Sequence, residues 1–281
     1  MATVGQRLDA AVRALADVSE SPRDDAEFML AHVLGVPRSQ LHTRFDQQAK
    51  LPAFDSFIKR RLKHEPVPYI LGEWEFYSLD IEVKAPVLVP RPETEHLVEV
   101  VLEHVEGRPA RVLEIGTGTG CVAVAIAAYA TQAQVVATDI NPAALTLASR
   151  NAKHHGLTRR MEFRKGDLFA ALAPGEAPFD AICSNPPYVE SGQMQHLSPS
   201  IRKYEDPQAL VAGEDGLDVI RRIVAGATQH LVPGGLLALE MGEGHYATVQ
   251  QLLIDAGFVE PEVRCDLAGI QRIAYAKTPA P

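Results

Sequence analysis

The hydrophobic pattern divides the chain into an N-terminal part with helical periodicity and a longer part in which strands and helices alternate. In the first part, apolar residues recur every three or four positions, as on one face of an amphipathic helix. Leu8, Val12 and Leu15 show this spacing, and similar stripes follow over 21–35 and from Pro52 onward. We therefore expect a small helical bundle over residues 1–70.

Two prolines, Pro66 and Pro68, interrupt this helical pattern. Proline lacks the backbone N–H that a helix interior needs, so the prolines predict the end of the bundle. Residues 74–77 and 80–83 then read as two short strands around a turn. The sequence predicts a β-hairpin linker over residues 71–90 and a separate domain over 91–281.

Short apolar segments and amphipathic segments alternate from Arg111 onward. Such alternation predicts an α/β fold with a mostly parallel seven-stranded sheet covered on both faces. The last two strands are separated by only Asp266–Gly269, too few residues for a crossover helix, so we expect a C-terminal antiparallel hairpin. Strands are predicted at 111–116, 134–139, 161–166, 179–184, 235–241, 257–265 and 270–277, and helices at 119–130, 142–154, 215–231 and 244–256.

Charge and composition restrict the possible partners. The 281-residue chain carries a net charge of −9, which argues against direct binding to duplex nucleic acid. No apolar run approaches the roughly 20 residues that span a bilayer. Its three cysteines lack metal or redox spacing, so we expect no metal site and a reducing, cytoplasmic location. The basic run at 59–63 is either a partner patch or a solvated helix face.

A glycine loop, Gly116-Thr117-Gly118-Thr119-Gly120, joins the first strand of the sheet to a helix. Its spacing differs from the dinucleotide pattern, and no Gly-Lys-Ser/Thr follows, which excludes a nucleoside-triphosphate P-loop. The next two strands end at Asp139-Ile140 and Asp167-Leu168. Carboxylates there suit ribose hydroxyls and an adenine amine but repel a pyrophosphate. This favours S-adenosylmethionine over nicotinamide cofactors, although Asp167 has the alternative role of capping the helix that follows it.

The fourth predicted strand ends in Ser184-Asn185-Pro186-Pro187-Tyr188. Prolines offer carbonyl acceptors without N–H donors, and Asn185 adds a side-chain carbonyl. Tyr188 adds a flat face, so the segment suits a conjugated –NH2 group, as in a carboxamide or adenine. The alternative is an ordinary Asn-Pro turn with a packed tyrosine.

These motifs together resemble the bacterial N5-glutamine methyltransferases, and among them the release-factor branch (the PrmC/HemK family). Asn-Pro-Pro-Tyr is shared with adenine-N6 methyltransferases, whereas the Pro-Arg-Pro-Glu-Thr run around Arg91 resembles the release-factor branch more specifically. The resemblance rests on Pro68–Gly72, Trp74–Tyr77, Val89–Glu95, Glu114–Gly120, Asn185–Tyr188, Tyr204–Pro207 and Gly213–Asp218.

The resemblance implies a Rossmann-like class I methyltransferase domain that uses S-adenosylmethionine and releases S-adenosylhomocysteine. It implies cofactor contacts from the glycine loop, Asp139, Leu168 and Asn185. It also implies that Asn185–Tyr188 hold the glutamine of the Gly-Gly-Gln loop of a class-1 peptide chain release factor, with Arg91 as a wall over both ligands.

The helical bundle would help bind that factor, and we expect the protein to be a monomer. Two other hypotheses remain at this point: an adenine-N6 nucleic-acid methyltransferase, and a non-catalytic module that binds S-adenosylmethionine.

Overall fold

The computed structural model describes residues 2–281, which form two compact units. The N-terminal unit runs to Trp74 and also includes Leu197–Glu205. The C-terminal unit comprises Glu75–His196 and Asp206–Pro281. The sequence did not predict that a segment near residue 200 belongs with the N-terminal helices, and the division at residues 70 and 90 stays a prediction.

The N-terminal unit is helical, as the periodicity predicts. Thr3 begins the first helix with reciprocal hydrogen bonds, because its hydroxyl accepts from the N–H of Gln6 and its own N–H donates to the Gln6 side chain. The apolar stripes meet in a core that includes Leu8, Met29 and Phe54. The helices are α1 (Val4–Leu15), α2 (Pro22–Leu34), a 3-10 helix (Arg38–Arg44), α3 (Pro52–Arg61), α4 (Val67–Leu71) and α8 (Pro199–Tyr204).

Helix α4 lies where the prolines predicted an end to helical structure, so that expectation was wrong. Pro68 occupies the first turn of α4, where a backbone N–H has no partner within the helix in any case. Gly72, with φ of 84°, then ends the helix in the left-handed conformation. Proline therefore starts a helix here rather than breaking one.

The basic run at 59–63 is partly a structural element. Arg60 binds Glu65 and donates to the carbonyl of Ile70, while Arg61 is buried and donates to Asp25 over 2.7 Å. Lys59 and Lys63 are exposed. The two arginines thus hold the unit together, and only the lysines are left as solvated charges.

We expect Asp25→Ala to lower the free energy of unfolding by about 3 kcal/mol, because it leaves the buried Arg61 without its carboxylate. Asp55→Ala is the matched control, since the Asp55–Arg7 pair is more exposed, with side chains 53% and 25% exposed, and should contribute less than about 1 kcal/mol. Urea denaturation followed by circular dichroism measures both variants. Equal losses of unfolding free energy would show that burial does not make the Asp25–Arg61 pair more stabilising than the Asp55–Arg7 pair.

The C-terminal unit contains a seven-stranded sheet, in agreement with the predicted α/β class. The strand order is β5-β4-β3-β6-β7-β9-β8, with β3 to β7 parallel and β9 antiparallel to both of its neighbours. A small hairpin precedes the sheet, as predicted. The strands are β1 (Glu73–Phe76), β2 (Leu79–Glu82), β3 (Ala110–Ile115), β4 (Ala133–Asp139), β5 (Met161–Lys165), β6 (Phe179–Ser184), β7 (Leu231–Glu240), β8 (Val259–Cys265) and β9 (Gln271–Lys277).

Helices cover this sheet. The group α5 to α7 packs together against it, and α9 and α10 form a second group whose apolar side chains join the main core. The predicted helix 215–231 is shorter than expected, and strand β7 begins four residues before its predicted start. The helices are α5 (Glu95–Val105), α6 (Cys121–Tyr129), α7 (Pro142–His154), α9 (Asp218–Ala227) and α10 (Tyr246–Asp255).

The order of the strands determines where a ligand can bind. The chain passes from β3 outward through β4 to β5, and then returns to place β6 on the other side of β3. This reversal opens a crevice at the carboxyl ends of β3 and β6, the usual ligand position in open α/β sheets. The glycine loop follows β3 and Asn185 follows β6, so the fold brings these two motifs to the same crevice.

Candidate active site

An open cleft lies at the carboxyl edge of the sheet, entirely within the C-terminal unit. It contains about 980 Å³ of space not filled by protein atoms, a volume that includes open solvent at its mouth. Several of the predicted residues line it together, and most of its accessible lining is apolar. These residues are Gly116, Gly118, Asp139, Ile140, Asp167, Leu168, Asn185, Pro186 and Pro187.

The glycine loop divides into residues that face the cleft and residues that pack inside. Gly116 lines the cleft with φ of 74°, and a side chain there would meet open space. Thr117 and Thr119 are buried and line a smaller neighbouring cavity. Gly120 lines neither cavity, and a Cβ atom there would lie 2.7 Å from the Cβ of Ala148. The structure therefore gives Gly120 a packing role between α6 and α7.

Asp139 ends β4 and holds the loop in place. One carboxylate oxygen accepts from the N–H of Gly118 over 2.9 Å, and the other accepts from the N–H of Asn141 over 2.8 Å. Burial raises the pKa of the Asp139 carboxyl, while these backbone donors oppose that shift. Each oxygen keeps a second lone pair, so Asp139 can still accept hydrogen bonds from a ligand in the cleft.

Asp167 does not cap the short helix that follows it, although it occupies the N-cap position. Its carboxylate instead pairs with Arg222 over 2.7 Å, and both residues line the cleft. Leu168 lies beside it with φ of 51°, a left-handed conformation that costs a non-glycine residue about 1–2 kcal/mol. Strained backbone is found at binding sites, which favours a ligand role for this segment over capping alone.

The charges around the cleft favour a cationic ligand. Three carboxylates, those of Asp139, Asp167 and Asp206, line the cleft, against the single guanidinium of Arg222. Arg222 is already paired with Asp167. A pyrophosphate would meet net repulsion here, whereas an adenosyl group with a positive centre would be stabilised.

Asn185 lies where the two cavities adjoin, because it lines both of them. Its side-chain nitrogen donates to the hydroxyl of Thr94 over 3.1 Å. Within residues 2–281, its side-chain oxygen accepts no hydrogen bond from the protein. Pro186 and Pro187 line the larger cleft beside it. The predicted acceptor group is thus present, with the oxygen of Asn185 available to a ligand.

Tyr188 is turned away from the larger cleft. Its hydroxyl donates to Glu240 over 3.3 Å, and burial raises the pKa of the tyrosine. Arg91 lines the smaller cavity together with Thr94 and Glu114. Burial raises the pKa of Glu114 to about 8, so this carboxyl keeps its proton at neutral pH. Arg91 therefore shares a cavity with Asn185, while its role as a wall over the ligands stays a prediction. The tyrosine ring lies behind the loop rather than in the larger cleft.

Sequence reasoning missed two buried residues of this site, Thr94 and Glu240. Glu240 ends the parallel strand β7, next to β6, so an acid at that strand end was a detectable signal. Thr94 was part of a recognised run, but nothing local indicated its contact with a residue 146 positions away. The cleft residues Asp206, Gln208 and Ala209 lie within or just after Tyr204–Pro207, one of the runs on which the resemblance rests.

Comparisons with known proteins show the family of this chain. A family model described as PrmC N-terminal domain matches residues 6–72, and one described as Methyltransferase small domain matches residues 93–200. The release factor glutamine methyltransferase of Rhodopirellula baltica is 41% identical over 265 residues, covering 91% of this chain and 89% of that protein. The chain belongs to the release factor glutamine methyltransferase family.

A second relative supports the same assignment. The release factor glutamine methyltransferase of Xylella fastidiosa strain Temecula1 is 42% identical over 261 residues, covering 92% of this chain and 94% of that protein. The crystal structure of a methyltransferase from Pyrococcus furiosus shares the fold, with a TM-score of 0.54 at 21% identity over 73% of this chain and 91% of that one. The family assignment and the class I methyltransferase fold expected from the sequence are confirmed.

Two further structural observations concern metals and membranes. Within residues 2–281, no group of three or more His, Cys, Asp or Glu side chains is arranged to hold a metal ion. In the same part of the chain, no helix has the length and apolarity that crossing a bilayer requires.

Proposed function

We propose that this protein methylates the side-chain amide nitrogen of the glutamine in the Gly-Gly-Gln loop of class-1 peptide chain release factors, with S-adenosylmethionine as methyl donor. The observation that carries the proposal is the available side-chain oxygen of Asn185, which lies next to Pro186 and its backbone carbonyl at the edge of the acidic cleft. Membership of the family supports the choice of substrate.

The cleft fits the cofactor through its own donors and charges. Gly116 and Gly118 let the backbone approach a ligand closely, and Asp139 offers lone pairs to ribose hydroxyls. Asp167 is the proposed acceptor for the adenine amine, and Leu168 and Ile140 flank the position proposed for the ring. When bound, S-adenosylmethionine supplies an electrophilic methyl group on a positively charged sulfur. The product is S-adenosylhomocysteine.

The protein acts mainly by positioning the substrate nitrogen. An amide nitrogen is a weak nucleophile, since its lone pair is delocalised into the carbonyl. Hydrogen bonds from the glutamine –NH2 to the Asn185 oxygen and the Pro186 carbonyl orient both hydrogens and direct the nitrogen at the methyl group. Such positioning is worth up to roughly 7–11 kcal/mol in favourable systems.

Both acceptor bonds strengthen as the nitrogen gains positive charge, which lowers the barrier rather than merely binding the substrate. The methylated nitrogen is acidic and loses a proton to water afterwards, so no strong base is required. Tyr188 and Arg91 complete the site, the tyrosine by supporting the loop and the arginine by closing the smaller cavity.

The direct test is to incubate the purified protein with labelled S-adenosylmethionine and a class-1 release factor, and to map the product by peptide mass spectrometry. We expect one methyl group on the Gly-Gly-Gln glutamine. Duplex DNA in a parallel reaction should remain unlabelled, because the acidic chain lacks the field that binds phosphates. A methyl group on adenine would contradict the proposal, and binding without turnover would support a non-catalytic module.

We expect Asp139→Ala to weaken S-adenosylmethionine binding by about 1–3 kcal/mol, because it leaves ligand hydroxyls and the Gly118 N–H without their acceptor. Isothermal titration calorimetry measures the loss. Asp255→Ala, on the exposed surface of α10, is the matched control and should bind normally. Unchanged affinity in a folded Asp139 variant would remove this residue from the site.

We propose that the N-terminal helical region, residues 1–70, contributes to binding the folded release factor. Remote contacts of this kind raise kcat/KM by helping to place the reacting loop. The intact enzyme should therefore methylate the whole factor with a kcat/KM at least about tenfold above that of a short Gly-Gly-Gln peptide. Equal kcat/KM values for the factor and the peptide would contradict this role.

The cytoplasmic location and the monomeric state of the protein stay predictions.

A further inference from the structure

A chain of buried hydrogen bonds lies behind Asn185. The Asn185 nitrogen donates to the Thr94 hydroxyl over 3.1 Å, and that hydroxyl donates to Glu240 over 2.6 Å. The other carboxylate oxygen of Glu240 accepts from Tyr188. Thr94 is 2% exposed and Glu240 is 1% exposed, so water does not substitute for these partners. The chain connects a substrate-facing amide to a fully buried carboxylate.

The direction of these bonds follows from the donor inventory of each group. A threonine hydroxyl has one proton, and an ionised carboxylate can only accept. The proton of Thr94 therefore goes to Glu240, and the hydroxyl oxygen can only accept from Asn185. The Asn185 amide must therefore donate to Thr94 through its nitrogen, so its oxygen points away from Thr94. In the reversed orientation, the Asn185 oxygen would face the Thr94 oxygen, and neither acceptor would receive a hydrogen bond there.

We propose that Glu240 and Thr94 are positioning residues that fix the side-chain amide of Asn185 with its oxygen toward the substrate. The proposal rests on the proposed function, because an acceptor at this position is useful only for a substrate that presents an –NH2 group. Neither residue touches the reacting atoms. They act through Asn185, which would otherwise present a donor to the –NH2 group as easily as an acceptor.

The protonation state of Glu240 determines the direction in which hydrogen bonds are donated between Asn185, Thr94 and Glu240. The pKa of Glu240 is raised to about 7, mainly by burial and also by the nearby Glu93, although hydrogen bonds from Thr94 and Tyr188 and the charge of Arg272 oppose the rise. The buried thiol of Cys121 also lies within the field of Glu240. Below pH 7 the carboxyl of Glu240 is protonated and can donate to the hydroxyl of Thr94. The Thr94 hydroxyl can then donate to Asn185, which favours the reversed orientation of the Asn185 amide. Turnover should therefore rise as Glu240 ionises near pH 7.

Threonine variants separate positioning from packing. Thr94→Val keeps the shape and removes the hydroxyl, so kcat on the release factor should fall by roughly 10- to 100-fold. Cofactor affinity should change little, whereas the melting temperature should fall because the buried Glu240 loses a donor. Thr94→Ser should restore kcat to within about threefold of the wild type. Thr146→Val, at an exposed position of α7, is the matched control and should behave as wild type. Thr94→Val at wild-type kcat would overturn the proposal while leaving the proposed function intact.

Glu240→Gln tests the ionisation directly. The variant cannot titrate, so the acidic limb of its kcat profile between about pH 5.5 and 8.5 should disappear, whereas a purely structural role would leave that limb in place. The side-chain amide signals of Asn185 in 15N–1H spectra give a readout without turnover. They should shift with a midpoint near 7 in the wild type and not in Glu240→Gln. Absence of this titration in the wild type would overturn the proposal, and its presence in a protein that fails to methylate release factor would reject only the proposed function.

Discussion

Asn185→Ala is expected to lower kcat on the release factor by about 10²–10³-fold, the loss seen when one preorganised polar contact to a transition state is removed. The reason is specific to the site: the Asn185 oxygen is the one side-chain acceptor of the proposed pair, and its bond strengthens as the nitrogen becomes positive. Steady-state kinetics with the whole factor measures kcat and KM separately.

This prediction distinguishes chemistry from binding. Affinity for the release factor should change far less than kcat, because one hydrogen bond is a small part of a protein–protein interface. Gln251→Ala serves as the control, because Gln251 also carries a side-chain amide but lies on the exposed face of α10, outside the cleft. If turnover of a folded Asn185 variant stayed within a few-fold of wild type, methyl transfer would not depend on this acceptor.

Most of the sheet could be predicted from the sequence because its signal is local. Strands such as β4 and β6 are short apolar runs bounded by polar residues, and parallel strands buried on both faces require that pattern. The hairpin of β8 and β9 follows from the short connection between them. Errors concentrate at element ends, where Gly120 in the left-handed conformation moves the start of α6 to Cys121.

The candidate site was most predictable at the ends of strands and in the recognised motifs that follow them. Asp139 and Asn185 stand at strand ends that the crevice brings together, so their position follows from the topology. The bond between Thr94 and Glu240 joins residues 146 positions apart, and no local pattern encodes such a contact. The same limit applies to the two threonines of the glycine loop, whose burial depends on packing that the motif does not specify.

The glycine loop offers a clear test of this distinction between ligand contact and packing. We expect Gly120→Ala to lower the free energy of unfolding by about 2–4 kcal/mol. This loss combines the cost of overpacking with the cost of placing alanine in a left-handed conformation. The new Cβ would lie 2.7 Å from the Cβ and 2.9 Å from the Cα of Ala148, and the backbone of α7 cannot give way cheaply. Chemical denaturation measures the loss.

Gly116→Ala is the matched control for this substitution, since it has a similar positive φ but faces open space. It should cost only the conformational term of about 1–2 kcal/mol, while its side chain intrudes on the cleft and weakens cofactor binding. Gly120→Ala should show the reverse: a larger loss of stability and near-normal affinity in the fraction that remains folded. Equal stability of the two variants would mean that α6 and α7 can separate without cost, and that Gly120 has another reason to be glycine.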